Sequence, residues 1–311
     1  MILRLANLHL HPRVFRAVTG LTLREFSALW GDVAPLYHAA EAARHARPHR
    51  QRAPGAGHPF ELAPRDQLLL TLVWLRIYPT HEVLGFLFGV SDSTVSRLKT
   101  RWLPLLAQAG RDDMRRVDPG RKHRRSLDEI LLEVPELTAL VDSFEQRVQR
   151  PSAPGAQRGY YSGKKKTHTL KSQVVVQPGT GLFLDVAASV PGPTNDRTLL
   201  RQSGVRERLP RDALLGGDLG YYGETNGPDD VAVATPRRKP REQERPEIDA
   251  QYNRAFARVR VEVEQSIGRA RRFQAITAPD RHHRVQHTER VQSVAGLVNR
   301  QIRRHWPVLM Q

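Results

Sequence analysis

Two apolar runs that each end in an aspartate constrain this chain most. Leu137-Thr138-Ala139-Leu140-Val141-Asp142 and Ala213-Leu214-Leu215-Gly216-Gly217-Asp218 read as buried strands with a carboxylate at the tip. Between them the pattern gives a strand over 169–176, a turn at Gly179-Thr180-Gly181 and a strand over 182–190. A helix capped by Thr194-Asn195-Asp196 then runs to Gln202. A short strand over 231–234 and a charged, proline-broken loop follow. Pro246 opens a long helix to about Phe273, and a last helix spans 285–305.

Three strands in a hairpin or meander, a helix, two strands and a long helix describe a ribonuclease H-like α/β domain. Its sheet is expected to be mixed and five-stranded, with acids ending the first and fourth strands and Glu264 on the late helix. The helix that such folds often place between the fourth and fifth strands is not evident, because 223–230 is short and turn-rich.

The first part of the chain reads as an all-α domain. Residues 15–43 are helical with a break at Thr19-Gly20-Leu21-Thr22 and an N-cap at Thr22. A basic stretch rich in Pro, Gly and His, 44–59, reads as a loop or arm, and 65–78 as an apolar helix stopped by Pro79. Thr80 caps a short helix through Phe88, Gly89-Val90 turn, and Ser91 caps a helix over 92–103. This is a helix-turn-helix pattern, with Leu84, Leu87, Val90, Val95 and Leu98 buried and Arg97 and Arg101 on the exposed face of its second helix. Those two arginines are candidate DNA contacts; the alternative is a helical hairpin with a solvated polar face. A charged segment over 110–126 containing Pro119-Gly120 marks the expected boundary between a helical region, 1–120, and a catalytic domain, 121–311. A helix over 127–134 opens the second.

Charge narrows the partner. Lys and Arg number 49 against 32 Asp and Glu, a net charge of +17, which favours a polyanion. No apolar run reaches the roughly 18 residues of a membrane span, and no basic amphipathic helix stands alone, so nucleic acid is the expected partner and no membrane is. Cysteine is absent, which removes disulfides, thiol nucleophiles and Cys-based zinc sites and fits a reducing cytoplasm. The N-terminus carries too few apolar residues for a signal peptide. The 13 histidines show no metal-ligand spacing; His168 reads as structural and His282-His283 as surface.

Asp142, Asp218 and Glu264 are candidate catalytic metal ligands. Phosphodiester chemistry of this kind uses two hard divalent ions, Mg²⁺ or Mn²⁺, roughly 3.5–4 Å apart. On the late helix Arg260, Glu264, Ile267 and Arg271 share one face, while Glu262 lies about 200° round. Spacing alone also allows Glu264 to be a surface partner of Arg260 and each aspartate to cap a turn. Lys164, Lys165, Lys166 and Lys171 follow Gly163 and read either as a clamp on a DNA backbone or as a solvated hairpin. Tyr160 and Tyr161 could stack on a base or simply pack.

At these residues the chain resembles bacterial insertion-sequence transposases of the DDE type, of the insertion-sequence-five family, over nearly its whole length. The resemblance is carried by Thr19 to Phe26, by Asp66-Gln67-Leu68-Leu69-Leu70-Thr71-Leu72, and by Leu84-Gly85-Phe86-Leu87-Phe88-Gly89-Val90-Ser91. It continues through Asp142-Ser143-Phe144-Glu145, Tyr160-Tyr161-Ser162-Gly163-Lys164-Lys165-Lys166, Asp218-Leu219-Gly220-Tyr221 and Glu264-Gln265-Ser266-Ile267-Gly268-Arg269. Ser143-Phe144 replaces the family's Gly-Thr, Leu219 a usual Lys, and Arg271 a common Lys, while Arg260 matches the Arg expected before the acid. The resemblance implies that Asp142, Asp218 and Glu264 form the catalytic triad. It also implies binding to terminal inverted repeats, cleavage at the element ends and joining of 3′-OH ends to target DNA. A cytoplasmic, nucleoid-associated homo-oligomer on DNA is expected, with Arg260 and Arg271 among its DNA contacts. The rival readings are a catalytically silent, transposase-derived DNA-binding protein and a nuclease without strand transfer.

Overall fold

The structure, a computed structural model, describes residues 3–46, 60–116, 137–210, 213–224 and 231–305. Most of the expected basic arm, the boundary at 120 and the helix over 127–134 lie outside the described residues.

The first half is helical: α1 (Leu5–Leu8), α2 (Pro12–Thr19), α3 (Leu23–His45), α4 (Pro64–Ile77), α5 (His81–Phe88) and α6 (Asp92–Arg115). The caps fall where the sequence puts them. Thr22 and Glu25 form a reciprocal capping box on α3, and the Thr80 and Ser91 hydroxyls accept from the N–H groups of Val83 and Thr94. α4 is buried from Gln67 to Leu75, so it is the axis of this half.

α6 departs from expectation by running through Pro104 to Arg115 instead of stopping at Leu103. A proline inside a helix costs about 3 kcal/mol. Burying Trp102, Leu103, Leu105 and Leu106 around it returns roughly 1.5–3 kcal/mol each, so packing overrides the break. The charged appearance of 111–116 hid this continuation. Arg111 is bonded to Gln292, and Asp113 to Arg303.

The second half is built on a mixed sheet. Its strands are β1 (Ala139–Arg147), β2 (Tyr161–Ser162), β3 (Thr167–Val176), β4 (Phe183–Val186), β5 (Val190–Pro191), β6 (Leu214–Gly216) and β7 (Ala232–Ala234). The main order is β4–β3–β1–β6–β7, with β3 antiparallel to β1 and β4, and β6 parallel to β1 and β7. These are the five expected strands. The expected strand over 182–190 is split into β4 and β5, and two-residue β2 is added at the start of β3.

β1 does not end at Asp142. It continues to Arg147 because Phe144 and Gln146 are buried in alternation with more open neighbours, a pattern masked by the polar side chains between them. Among the described residues, the helical turn between β6 and β7 is a 3₁₀ turn over Leu219–Tyr221. Helices α7 (Pro154–Tyr160), α8 (Asp196–Gln202), α9 (Val205–Arg208), α10 (Glu247–Ala270) and α11 (His287–His305) complete the fold.

One apolar core joins the halves. It runs from Leu3 through α4 and α6 into Leu140, Val174, Phe183 and Ile267 and on to Ile302. A smaller cluster, with Val141, Val175, Leu200, Leu215 and Tyr221, covers the opposite sheet face. α6 and α11 meet at Gly110 and Gly296. A Cβ on Gly296 would lie 2.5 Å from the Gly110 Cα, so only glycine permits this approach.

Candidate active site

Parallel pairing sets two carboxylates side by side. Leu140 of β1 pairs with Gly216, the last residue of β6, and two residues further along the chain from each stand Asp142, within β1, and Asp218, just past β6. Asp218 also caps its own 3₁₀ turn, accepting from the Gly220 N–H at 2.8 Å. Asp142 accepts from the Ser143 N–H at 2.7 Å and lies 3.5 Å from the Arg260 guanidinium. Burial pushes the Asp142 carboxyl up to about 6, with Asp218 and Asp196 adding to the rise and Ser143 and Arg260 opposing it.

Asp196, which the sequence pattern offers only as part of a helix cap, belongs to the site. Asn195 does the capping, accepting from the Arg197 N–H. Asp196 instead turns to the strands, accepting from Ser143 Oγ at 2.7 Å and Lys171 Nζ at 3.0 Å. A Cβ on Gly220 would lie 2.8 Å from Asp218 Oδ1 and 2.9 Å from Asp196 Oδ2. The bare backbone there lets both carboxylates converge. Beneath them Tyr221 is buried, its hydroxyl accepting from Gln173 at 3.0 Å. Burial, Asp196, Asp142 and Asp218 drive its phenol far up. The available signal was the register of Ser143 and Lys171, which only strand pairing reveals: Glu145, two residues beyond Ser143, faces Lys171.

Lys171 therefore differs from the lysines with which it was grouped. It is buried, and its ammonium donates to Thr194 O at 2.6 Å as well as to Asp196. Lys164, Lys165 and Lys166 stand exposed on the turn between β2 and β3. Tyr160 lies under the Arg284 guanidinium, 4.3 Å from its ring centre, and Tyr161 meets His168 edge-on.

On α10, Arg260 pairs with Asp142 and not with Glu264. Glu264 is exposed, and its carboxylate has no hydrogen-bond or ion-pair partner among the described residues. Glu262 points away from it, accepting from the Gly179 N–H in the β3–β4 turn. Arg271 sits 5.8 Å from the Phe144 ring centre. On α6, Arg97 is exposed and donates to Thr94 Oγ1, whereas Arg101 lies over Phe60 and 3.7 Å from Glu41. His282 is not a surface residue as expected. It packs among Trp74, Tyr78 and His81, where burial and the cations Lys99 and Arg290 hold it neutral, down to about 3.

The donor set fits a hard divalent cation in its chemistry. Asp142, Asp196 and Asp218 are oxygen donors gathered beside two cations, Lys171 and Arg260, and oxygen donors are what such an ion takes. Among the described residues no three acids or histidines are already arranged around one metal position.

Two family matches cover these elements. Residues 60–112 match the helix-turn-helix of DDE superfamily endonuclease, and residues 141–299 match DDE superfamily endonuclease. The chain belongs to the DDE superfamily endonuclease family. The longer match of this DDE endonuclease takes in Asp142, Asp196, Asp218 and Glu264; the shorter spans α4, α5 and most of α6. The chain is 27% identical over 281 residues to a probable transposase for insertion sequence element IS702 of Microchaete diplosiphon, covering 90% of this chain and 95% of that protein. It is 25% identical over 168 residues to an ALP1-like protein of Arabidopsis thaliana, covering 52% of this chain and 39% of that one. No solved structure matches. The helix-turn-helix and endonuclease regions mark it as a DNA-binding nuclease-family protein, and no described helix is long and apolar enough to cross a membrane.

Proposed function

We propose that this chain is a transposase that binds the terminal inverted repeats of its element, cuts at the ends and joins the freed 3′-OH groups to target DNA. The observation that carries the reading is the convergence of Asp142 and Asp218 on adjacent parallel strands, under a family match that also contains Glu264. Asp142, Asp218 and Glu264 would hold the divalent ions, Mg²⁺ or Mn²⁺. A bound pair supplies an activated nucleophile and charge for the leaving oxygen. Lys171 and Ser143 fix Asp196 beside the pair, and Arg260 offsets the charge of Asp142. The exposed Lys164, Lys165 and Lys166, with Arg271, hold phosphates of the incoming strand. The exposed face of α6, with Arg97 and Arg101, reads terminal DNA; Arg101 must leave Glu41 to do so. The division into a DNA-binding region, 1–120, and a catalytic region, 121–311, follows these roles, and pairing of two ends implies a homo-oligomer on DNA. The intact acids disfavour a silent DNA-binding protein, and joined products separate a transposase from a simple nuclease.

The test is strand cleavage of a duplex carrying the element's end. Asp142→Ala, Asp218→Ala and Glu264→Ala each abolish cleavage and leave binding to that duplex within about threefold, because each removes transition-state charge and no backbone contact. Glu262→Ala keeps most of the activity. An active Glu264→Ala beside a dead Glu262→Ala overturns the assignment of the third acid.

A further inference from the structure

A cleft of about 500 Å³ opens where the helical half meets the C-terminal ends of α10 and α11. Six arginines line it: Arg13 and Arg16 from α2, Arg76 from α4, Arg269 and Arg272 at the end of α10, and Arg304 from α11. None of its lining residues is acidic. One wall is covered: Arg304 lies 3.8 Å from Glu25. Arg13, Arg16 and Arg272 are exposed, whereas Arg76 is half-buried, laid over the Phe273 ring and bonded to the Arg272 carbonyl at 2.9 Å. The burial of Arg76 and its repulsion from Arg272 and Arg16 weaken its hold on its proton.

Gathering like charges at one opening costs free energy unless an anion occupies it, and the guanidinium fork matches phosphate oxygens. A single phosphate cannot engage arginines spread over four elements. A polymer of phosphates can. Arg269 follows Glu264 by five residues, about 7.5 Å along the helix axis, so α10 ties the cleft to the acid cluster.

We infer that this cleft is a second DNA-backbone site, which holds a duplex across the joint between the two halves and leads it to Asp142 and Glu264. The inference rests on the transposase reading for its DNA but not for its sequence, so a duplex of arbitrary sequence tests it.

Binding of such a duplex to the full chain is followed from about 50 to 200 mM salt. Relative to wild type, Arg13→Ala/Arg16→Ala/Arg272→Ala flattens the slope of log affinity against log salt by about 0.9 for each lost phosphate contact, at an unchanged melting temperature. If the triple variant melts early, Arg16→Glu alone serves, with a flatter slope expected. Coincident slopes for variant and wild type overturn the inference while leaving the cleavage assignment intact. A wild-type chain that binds no duplex overturns both. Two competitors separate other ligands. Stabilisation by inorganic tripolyphosphate with an unchanged DNA slope assigns the cleft to small polyanions, and a slope change confined to duplex RNA assigns it to RNA; either result overturns the DNA inference.

Discussion

At the scale of single residues, the site depends on a buried lysine that no charge-run argument would single out. Lys171 follows three exposed lysines in sequence, yet strand geometry turns it inward to Asp196. Breaking a buried pair from one side leaves an uncompensated charge and costs about 3–5 kcal/mol, whereas removing both partners costs much less. Asp196 is 24% exposed, which screens the pair, so Asp196→Ala is expected to lose less than that, about 1.5–3 kcal/mol, in urea melts, and Asp196→Ala/Lys171→Met to recover most of it while cleavage stays impaired. A single variant as stable as the parent would show that the pair contributes nothing. Asp142 and Asp218 could be singled out in sequence because each ends an apolar run. Asp196 could not, because its neighbour Asn195 explains the helix cap and nothing local points the second carboxylate at the strands.

Among elements, the helix caps and the positions of the strands along the chain were legible because they depend on short-range chemistry. Thr22, Thr80 and Ser91 cap as expected, and the five main strands fall close to their apolar runs. What was not legible depends on tertiary contact. The passage of α6 through Pro104, itself exposed, depends on the packing of α6 along α11, and the extension of β1 past Asp142 needs β3 to pair with it. One polar chain ties these elements together. Gln146 of β1 donates its amide N–H groups to Ala275 and Ala278 carbonyls, so its oxygen accepts from His287 Nε2, at 2.8 Å. The His287 Nδ1 then accepts from Ser189 Oγ, which in turn accepts from Ser172 of β3. A neutral ring makes all of these bonds. Burial, with Arg290 outweighing Asp280, holds His287 down to about 3. The unfolded histidine takes a proton near pH 6.5, so its contribution is complete above that pH and is lost as pH falls from about 6.5 toward 3. His287→Gln is expected to flatten the fall in melting temperature over that window; a parallel curve would place the acid sensitivity elsewhere.

At the scale of the whole molecule, the larger of the two apolar clusters runs through both halves. Leu3 and Ile302 belong to the same apolar cluster, and Gly110 touches Gly296. Shared burial of this kind couples unfolding. Calorimetry of the intact chain is expected to show a single transition, coincident with loss of helix and of tryptophan environment, from Trp74 and Trp102 in the helical half. Two separated transitions would show that the halves are independent. The contact between α6 and α11 also bears on how the gene decays. α11 is a wall of the first half, so a copy whose reading frame is cut before residue 287 is expected to make no folded DNA-binding fragment. Such a fragment is then expected not to compete with the intact protein for DNA; a stable, duplex-binding 1–286 chain would show that the first half folds without α11.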